Sequence, residues 1–219
     1  MKIKLVSIGI IVLFALFIIT CSIALPILIR PFYYMQIDAL GLEKESGLER
    51  EEIIRAYNEM MDYCMGFSSE FSAGGLPFSE SGASHFADVR GLFIFDLVTV
   101  VLCGALLLTA VIVLKKKKIT LYRFGGRSVA FWSIISIFSI ASVIGIACAI
   151  SFKKTFVLFH KIFFPGKTDW KFNPYTDPII DLLPNQFFSN CAIFIFVGIA
   201  LFCVGIMLYE FLPRRNKDK

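Results

Sequence analysis

The sequence predicts an all-α membrane protein with four transmembrane helices, and three observations support this prediction. Of the 219 residues, 57% are hydrophobic and only 18% are charged, whereas soluble domains average roughly 45–50% and about 25%. The mean hydropathy is +0.75. Four stretches are long and apolar enough to cross a hydrocarbon core about 30 Å thick. This composition excludes a soluble enzyme, because too little polar sequence remains to cover a core.

The four predicted spans cover residues 5–29, 93–114, 129–150 and 187–209, and Asp96 is the one charged residue within them. The first span follows two lysines, as a signal peptide does. Its apolar run is longer than the roughly 7–15 residues of a signal sequence, which favours an uncleaved anchor. We therefore expect a single integral membrane domain that comprises residues 1–219.

The basic residues predict the orientation of the chain. They concentrate at the two termini and in the loop over residues 115–128, which contains no acid. Loops rich in lysine and arginine stay in the cytoplasm. Both termini are therefore predicted to be cytoplasmic, and the longer loops over 30–92 and 151–186 to lie outside. The residues that carry this prediction are Lys2, Lys4, Lys115, Lys116, Lys117, Lys118, Arg123, Arg127, Arg214, Arg215, Lys217 and Lys219.

The first outer loop is predicted to contain an amphipathic helix. Residues 46–49 (SGLE) have the pattern of a capping box, and apolar residues recur at helical spacing from Ile53 to Cys64. We expect a helix over 49–65 that lies on the membrane or covers the bundle. The Ser/Gly-rich stretch 68–84 after it is predicted to be an irregular loop.

The second outer loop begins with an apolar stretch that is too short to cross a membrane. Residues 155–164 (TFVLFHKIFF) are predicted to form an interfacial or re-entrant segment. Lys153, Lys154 and Lys161 would contact lipid phosphates, and Trp170 suits the headgroup region. Four prolines then fix the path of the loop.

The chain contains two histidines, His85 and His160, and the predicted topology puts both near the outer headgroups. Imidazoles titrate near neutral pH, so one could accept a proton and the other donate one. A packing role for each interfacial histidine is the simpler alternative. The sequence has no zinc-ligand spacing, phosphate-binding loop or nucleophile elbow. We therefore predict no metal, no cofactor, no nucleotide and no nucleic-acid partner.

Several carboxylates lie near these histidines in sequence. Asp88 follows His85 by one helical turn and could orient its imidazole. Asp96 lies within a span, where an ionisable group suggests function, although an acid in the first turns of a helix is also favoured by the helix dipole. Asp169 and Asp177 lie in a turn-rich loop, where capping is the favoured role.

Six segments make the sequence similar to a known family. They are residues 61–63 (MDY), 84–90 (SHFADVR), 159–164 (FHKIFF), 169–170 (DW), 173–178 (NPYTDP) and 183–184 (LP). The chain resembles, over nearly its whole length, the Lit-type lipoprotein intramolecular transacylases, a family of small four-span bacterial membrane proteins.

The resemblance implies an acyltransferase of the bacterial cell membrane with its active site on the outer face. Such an enzyme moves the sn-2 acyl chain of a diacylglyceryl-modified lipoprotein to the α-amino group of the N-terminal cysteine, which yields the lyso form. It implies that His85 and His160 are catalytic, with either one as the base. An α-amine with a pKa of about 7.7–8.0 needs such a base before it attacks an ester. Candidates for binding or orienting the substrate are Tyr63, Asp88, Arg90, Asp96, Trp170 and Asp177.

Two other functions remain open at this point. A non-enzymatic accessory protein would use its outer loops to bind a partner and would tolerate replacement of both histidines by glutamine. A lipid esterase with the same histidine pair would release free fatty acid, whereas a transacylase would not.

Overall fold

The computed structural model describes residues 2–211, and this part of the chain is helical. Four of its helices are long and apolar enough to cross a membrane, which confirms the predicted fold class. The basic residues 214–219, which contributed to the predicted orientation, lie outside the described residues. The elements are α1 (Lys2–Leu28), α2 (Pro31–Leu40), α3 (Leu42–Ser46), α4 (Arg50–Cys64), α5 (Glu80–Lys116), α6 (Val129–Phe163), a 3₁₀ helix (Pro178–Leu182) and α7 (Asn185–Phe211).

Helix α1 is the centre of the membrane bundle and packs against α5, α6 and α7. Ile18, Ile137 and Ile199 form part of the apolar core inside the bundle. A Cβ atom on Gly198 would lie 2.6 Å from a side-chain carbon of Leu25. The close approach of α7 to α1 therefore depends on a residue without a side chain at this point.

The loop over 117–128 and the start of α1 lie at the same end of the bundle. The hydroxyl of Ser7 accepts a hydrogen bond from the backbone N–H of Tyr122 at 2.8 Å. At the other end are the segments over residues 31–79 and 164–184, which we call the cap. The cap and the basic loop are thus separated by the length of the bundle.

The cap has an apolar core of its own. Tyr33 of α2 stacks on Tyr57 of α4 with ring centroids 3.7 Å apart, and its hydroxyl donates to the carbonyl oxygen of Leu182 at 3.0 Å. Leu42 and Ile53 are fully buried beside them. The apolar face of α4 therefore packs within the cap, while its acidic face remains outside.

The prediction that Ser46 caps α4 was wrong. Glu49 caps the helix, and its side chain and that of Glu52 bond each other's backbone N–H groups. Ser46 instead ends α3, where its hydroxyl donates to the carbonyl oxygen of Leu42 at 2.6 Å. Gly47, with φ of 71°, then turns the chain between the two helices.

Two transmembrane helices extend beyond their apolar spans. Helix α5 begins at Glu80, capped by the Ser79 hydroxyl, which accepts from the N–H of Gly82 at 2.9 Å. The prediction of an irregular loop is therefore wrong from Glu80 onward. Helix α6 resumes after a break at Ser151, with φ of −162° and ψ of 98°, and continues to Phe163. The start of α5 is thus determined by a capping hydroxyl rather than by the edge of its apolar span.

Candidate active site

The two histidines lie on these helical extensions and meet at the cap end of the bundle. His85 is on the second turn of α5, and His160 is on the last turn of α6. Their ring centroids are 5.7 Å apart, with an angle of 31° between the rings. Both residues are buried, with 5% and 6% of their surface exposed. Two residues far apart in sequence therefore form one compact pair.

Aromatic side chains surround the histidine pair. The rings of Phe164 and Phe172 lie edge-on to His85, at centroid distances of 5.0 and 5.5 Å. Trp170 lies 4.6 Å from His160 and is inclined to it by 31°. All three come from the second cap segment, which thus covers both imidazoles and excludes water from them.

Burial makes both histidines neutral near pH 7. It lowers the pKa of His85 to about 4, against the opposing effect of the Asp169 carboxylate. It also lowers the pKa of His160. Nδ1 of His160 lies 2.7 Å from the carbonyl oxygen of Phe156, and because a carbonyl can only accept, this nitrogen carries the proton. Nε2 of His160 therefore has a free lone pair.

The carboxylate nearest to His85 is Asp169, which the sequence had assigned to turn capping. Asp169 Oδ1 lies 3.9 Å from His85 Nδ1, and neither atom has a hydrogen-bond partner. Asp88, the predicted orienting residue, is instead paired with the ammonium of Lys167. The one sequence signal for Asp169 was its place beside Trp170 in a segment that carries the family resemblance.

Three side chains of this site could together hold a metal ion. His85, Asp88 and Asp169 each offer one ligand atom, and these atoms lie within 4.8 Å of one another. One imidazole and two carboxylates are ligands that divalent cations accept. The ammonium of Lys167 competes for the same space, because it already neutralises Asp88.

Tyr63 and Arg90 interact with each other rather than with the histidines. The guanidinium of Arg90 lies 4.9 Å from the centroid of the Tyr63 ring, and its Nη1 donates to the carbonyl oxygen of Ser68 at 2.8 Å. The pair therefore fastens the loop after α4 to α5. A role in binding substrate remains a prediction for both residues.

Asp96 and Asp177 lie on opposite sides of the site. Asp96 is 11 residues after His85 on α5, a rise of about 16 Å, and its Oδ2 is buried without a partner. Asp177 accepts hydrogen bonds from the N–H of Ser79 at 2.8 Å and from its hydroxyl. Burial opposes ionisation of Asp177, but its hydrogen bonds with Ser79 and Thr176 outweigh this effect and lower its pKa.

The contact between Asp177 and Ser79 ties the second cap segment to the start of α5. Gly82 is required at this junction, since a Cβ atom there would lie 2.2 Å from Asp177 Oδ1. The same segment carries Asp169 and Trp170 to the histidines. By fixing this segment to the start of α5, Asp177 thus helps to position Asp169 and Trp170 beside the histidines.

The fold and the site define a multi-pass helical membrane protein with a buried histidine pair where two of its helices meet a folded cap. The sequence profile of the family "Lipoprotein intramolecular transacylase Lit" matches residues 8–188. The chain belongs to this family. Membership confirms the predicted class of activity, an intramolecular acyl transfer on lipoproteins, and the predicted location in a bacterial membrane.

Solved structures support the same assignment. An in meso structure of the membrane-integral lipoprotein intramolecular transacylase Lit from Bacillus cereus has a TM-score of 0.84 to this chain and is 25% identical, over 95% of each chain. Two structures of histidine variants of that protein have TM-scores of 0.78 and 0.75, identities of 25% and 27%, and cover 95% of this chain and 93% and 91% of theirs. No curated protein is significantly similar in sequence.

Proposed function

We propose that this protein moves the sn-2 acyl chain of a diacylglyceryl-modified lipoprotein to the α-amino group of the same N-terminal cysteine. The observation that carries the proposal is the meeting of His85 and His160 at 5.7 Å, in a chain with no other histidine. The family to which the chain belongs is named for intramolecular transfer of an acyl group in lipoproteins. The product is an N-acyl, lyso-form lipoprotein.

The chemistry requires a base and an acid. The α-amine attacks the ester carbonyl as the free base, so an imidazole removes its proton as the new C–N bond forms. The glyceryl oxygen leaves as the C–O bond breaks, and it takes up a proton. Two buried imidazoles that are neutral near pH 7 suit the first step, and a protonated imidazole suits the second. Because amine and ester belong to one molecule, positioning supplies part of the rate acceleration.

The site lies on the outer face of the membrane in this proposal. Lys2, Lys4 and the basic loop over 117–128 are at the end of the bundle opposite to the histidine pair. Basic loops remain in the cytoplasm, which supports an outer location for the cap. The ester of a lipoprotein lies at the same depth, between the headgroups and the acyl chains.

Labelling of single cysteines, introduced after the six native cysteines have been replaced by alanine, tests this orientation. Tyr175 is 95% exposed in the cap, and Lys117 is exposed in the basic loop. In intact protoplasts, a membrane-impermeant maleimide is expected to label Tyr175→Cys and not Lys117→Cys. Labelling of Lys117→Cys alone would place the site in the cytoplasm and contradict the proposal.

A synthetic lipopeptide with an isotopically labelled sn-2 chain tests the reaction itself. The purified protein in lipid nanodiscs is expected to move the label to the amine, as located by fragmentation in mass spectrometry, because the total mass is unchanged. A mixture of labelled and unlabelled lipopeptides should show no exchange of chains. An N-acetylated lipopeptide serves as the control and should not react.

The other two functions give different products in the same assay. An esterase would release labelled fatty acid and leave a lighter lipopeptide. An accessory protein would leave the lipopeptide unchanged. Either result, with correctly folded protein, would contradict the proposed transfer.

A further inference from the structure

Two buried polar atoms of the site lack partners and face each other. Nδ1 of His85 and Oδ1 of Asp169 are 3.9 Å apart, and neither makes a hydrogen bond. The side chain of His85 is 7% exposed and that of Asp169 is 15% exposed. In the described part of the chain, one other buried side-chain atom has no hydrogen-bond partner, and this is Oδ2 of Asp96. Buried polar groups are rarely left unpaired, so this pair calls for a functional explanation.

Hydrogen bonds around Asp169 hold this residue in place, but none of them is made to its Oδ1 atom. Oδ2 of Asp169 accepts a hydrogen bond from the hydroxyl of Ser84 at 3.4 Å, one residue before His85. The N–H of Lys171 bonds the carbonyl oxygen of Thr168 at 3.1 Å and closes the turn around Asp169. The carboxylate is therefore fixed at one oxygen and free at the other, and the free oxygen is the one that faces His85.

Asp88 is not equivalent to Asp169, although it lies one turn after His85 on the same helix. Its carboxylate is paired with Lys167, and its side chain is 27% exposed. The charged and titratable groups that act on His85 are thus Asp169, Asp88, Lys167 and His160. Of these, only Asp169 offers a buried acceptor without a partner to the Nδ1 atom.

On the basis of the proposed acyl transfer, we infer that Asp169 is a positioning residue that holds the proton of His85 on Nδ1 and thereby makes His85 Nε2 the base. A hydrogen bond forms once the gap of 3.9 Å closes by about 1 Å, to an ordinary N–H to O distance. Catalytic hydrogen bonds are often long without substrate and shorten when it binds.

The proton balance of the reaction follows from this arrangement. Nε2 of His85 takes the proton of the substrate amine as the C–N bond forms. The same proton passes to the glyceryl oxygen as the C–O bond breaks, directly or through His160. Asp169 keeps its hydrogen bond to Nδ1–H throughout and stabilises the imidazolium without accepting the proton itself.

The variant Asp169→Asn tests the role of the charge, and Asp88→Asn is the matched control. We expect Asp169→Asn to lower kcat on the order of 10²-fold or more, with little change in KM, because the amide no longer selects one tautomer. Asp88→Asn is expected to lose less than Asp169→Asn. A simple packing role for Asp169 would leave Asp169→Asn close to the wild type, because asparagine has nearly the same size as aspartate, and such a result would overturn the inference.

The tautomer can be measured without turnover, because the variant His160→Gln has a single histidine. In ¹⁵N-histidine-labelled protein in nanodiscs at pH 7, with the non-reacting N-acetylated lipopeptide bound, solid-state NMR is expected to detect a neutral ring protonated at Nδ1. Adding Asp169→Asn should shift the ring towards the Nε2-protonated form, while adding Asp88→Asn should not. An unchanged tautomer in the Asp169→Asn protein would overturn the positioning role.

Two further outcomes separate this inference from its alternatives. Excess EDTA should leave the activity of the wild-type protein unchanged; inhibition that Zn²⁺ or Mg²⁺ reverses would instead make Asp169 a metal ligand and contradict the inference. A wild-type protein that makes no N-acyl product but shows the Asp169-dependent tautomer would contradict the proposed function alone. Normal transfer together with an Asp169-independent tautomer would contradict the inference alone.

Discussion

The membrane bundle and the cap are built on different principles. The core of the bundle consists of apolar residues such as Ile18 of α1, Ile137 of α6 and Ile199 of α7, and long hydrophobic stretches are enough to predict its helices. The cap depends on individual contacts, such as the Tyr33 hydroxyl with Leu182 and the Asp177 carboxylate with Ser79. The histidine pair lies where the two regions meet. Away from close helix contacts such as that of Gly198 with Leu25, a single substitution should therefore cost more in the cap than in the bundle.

Two glycine variants test this comparison most severely, one on α5 where this helix packs against the cap and one inside the bundle. Gly82→Ala would force a Cβ atom to 2.2 Å from Asp177 Oδ1 and to 3.1 Å from a ring carbon of Phe172. We expect a loss of about 1–3 kcal/mol in stability and a strong loss of activity, since Phe172 packs on His85.

The matched bundle variant is Gly145→Ala, whose Cβ would lie 3.7 Å from the ring of Phe196, an ordinary contact. Its thermal stability and activity should equal those of the wild type. Thermal unfolding in nanodiscs and the lipopeptide assay measure both quantities. Equal losses in the two variants would remove the proposed distinction between cap and bundle.

The effect of pH on stability distinguishes the site from the rest of the chain. The folded state lowers the pKa of His85 from 6.5 to about 4, so it favours the neutral ring. This contribution is complete above pH 6.5 and is lost as the pH falls towards about 4. Unfolding temperatures of the wild type should therefore decrease over this range.

His85→Gln should flatten this decrease, because glutamine does not titrate. His160→Gln should also reduce the decrease in unfolding temperature, but by less, since burial also lowers the pKa of His160. If His85→Gln shows the same decrease as the wild type, groups outside the site account for it.

Much of the fold was predictable from sequence, because a span of about 20 apolar residues has few structural alternatives. The helical extensions that carry His85 and His160 were not predicted. The extension of α5 is polar, and its helix is held by capping at Ser79 and by the contact of Ser79 with Asp177 of the cap. The extension of α6 is apolar but too short to span a membrane, and its His160 ring packs against Trp170 of the cap. Hydropathy thus specifies the spans, while capping and contacts with the cap specify how far these two helices continue.

The site was predictable only in part, for the same reason. The two histidines stood out because the chain has no others. Asp169 could not be selected over Asp88, because the choice depends on Lys167, which pairs with Asp88 from the second cap segment. Sequence proximity favoured Asp88, and the tertiary fold brings Asp169 to Nδ1 of His85.

Trp170 provides an intermediate test, because it links the cap to the catalytic candidate His160. The two rings are 4.6 Å apart, and such aromatic contacts contribute about 0.5–1.5 kcal/mol. Trp170→Ala is expected to lower kcat about tenfold, and Trp170→Phe should retain most of the activity. Equal activity of Trp170→Ala and the wild type would show that this contact does not position His160.

A small effect that depends on the lipid is expected at the exposed lysines of α6. Lys153, Lys154 and Lys161 line an open, apolar pocket of about 490 Å³ together with Val157 and Leu158. Replacing each lysine by glutamine should change activity less than about fivefold, as expected for exposed charges. The change should occur in nanodiscs with anionic lipid and vanish in neutral lipid. A large loss in both lipids would mean that these lysines act on the site itself.

The most direct measurement compares kcat of the wild type, His85→Gln, His160→Gln and the double variant on the labelled lipopeptide, at equal protein levels. The account predicts that each single variant loses on the order of 10²–10⁴-fold. The double variant should be no slower than the slower single one, because the two imidazoles act as a unit. Near wild-type turnover in either single variant would contradict the claim that the histidine pair carries the reaction.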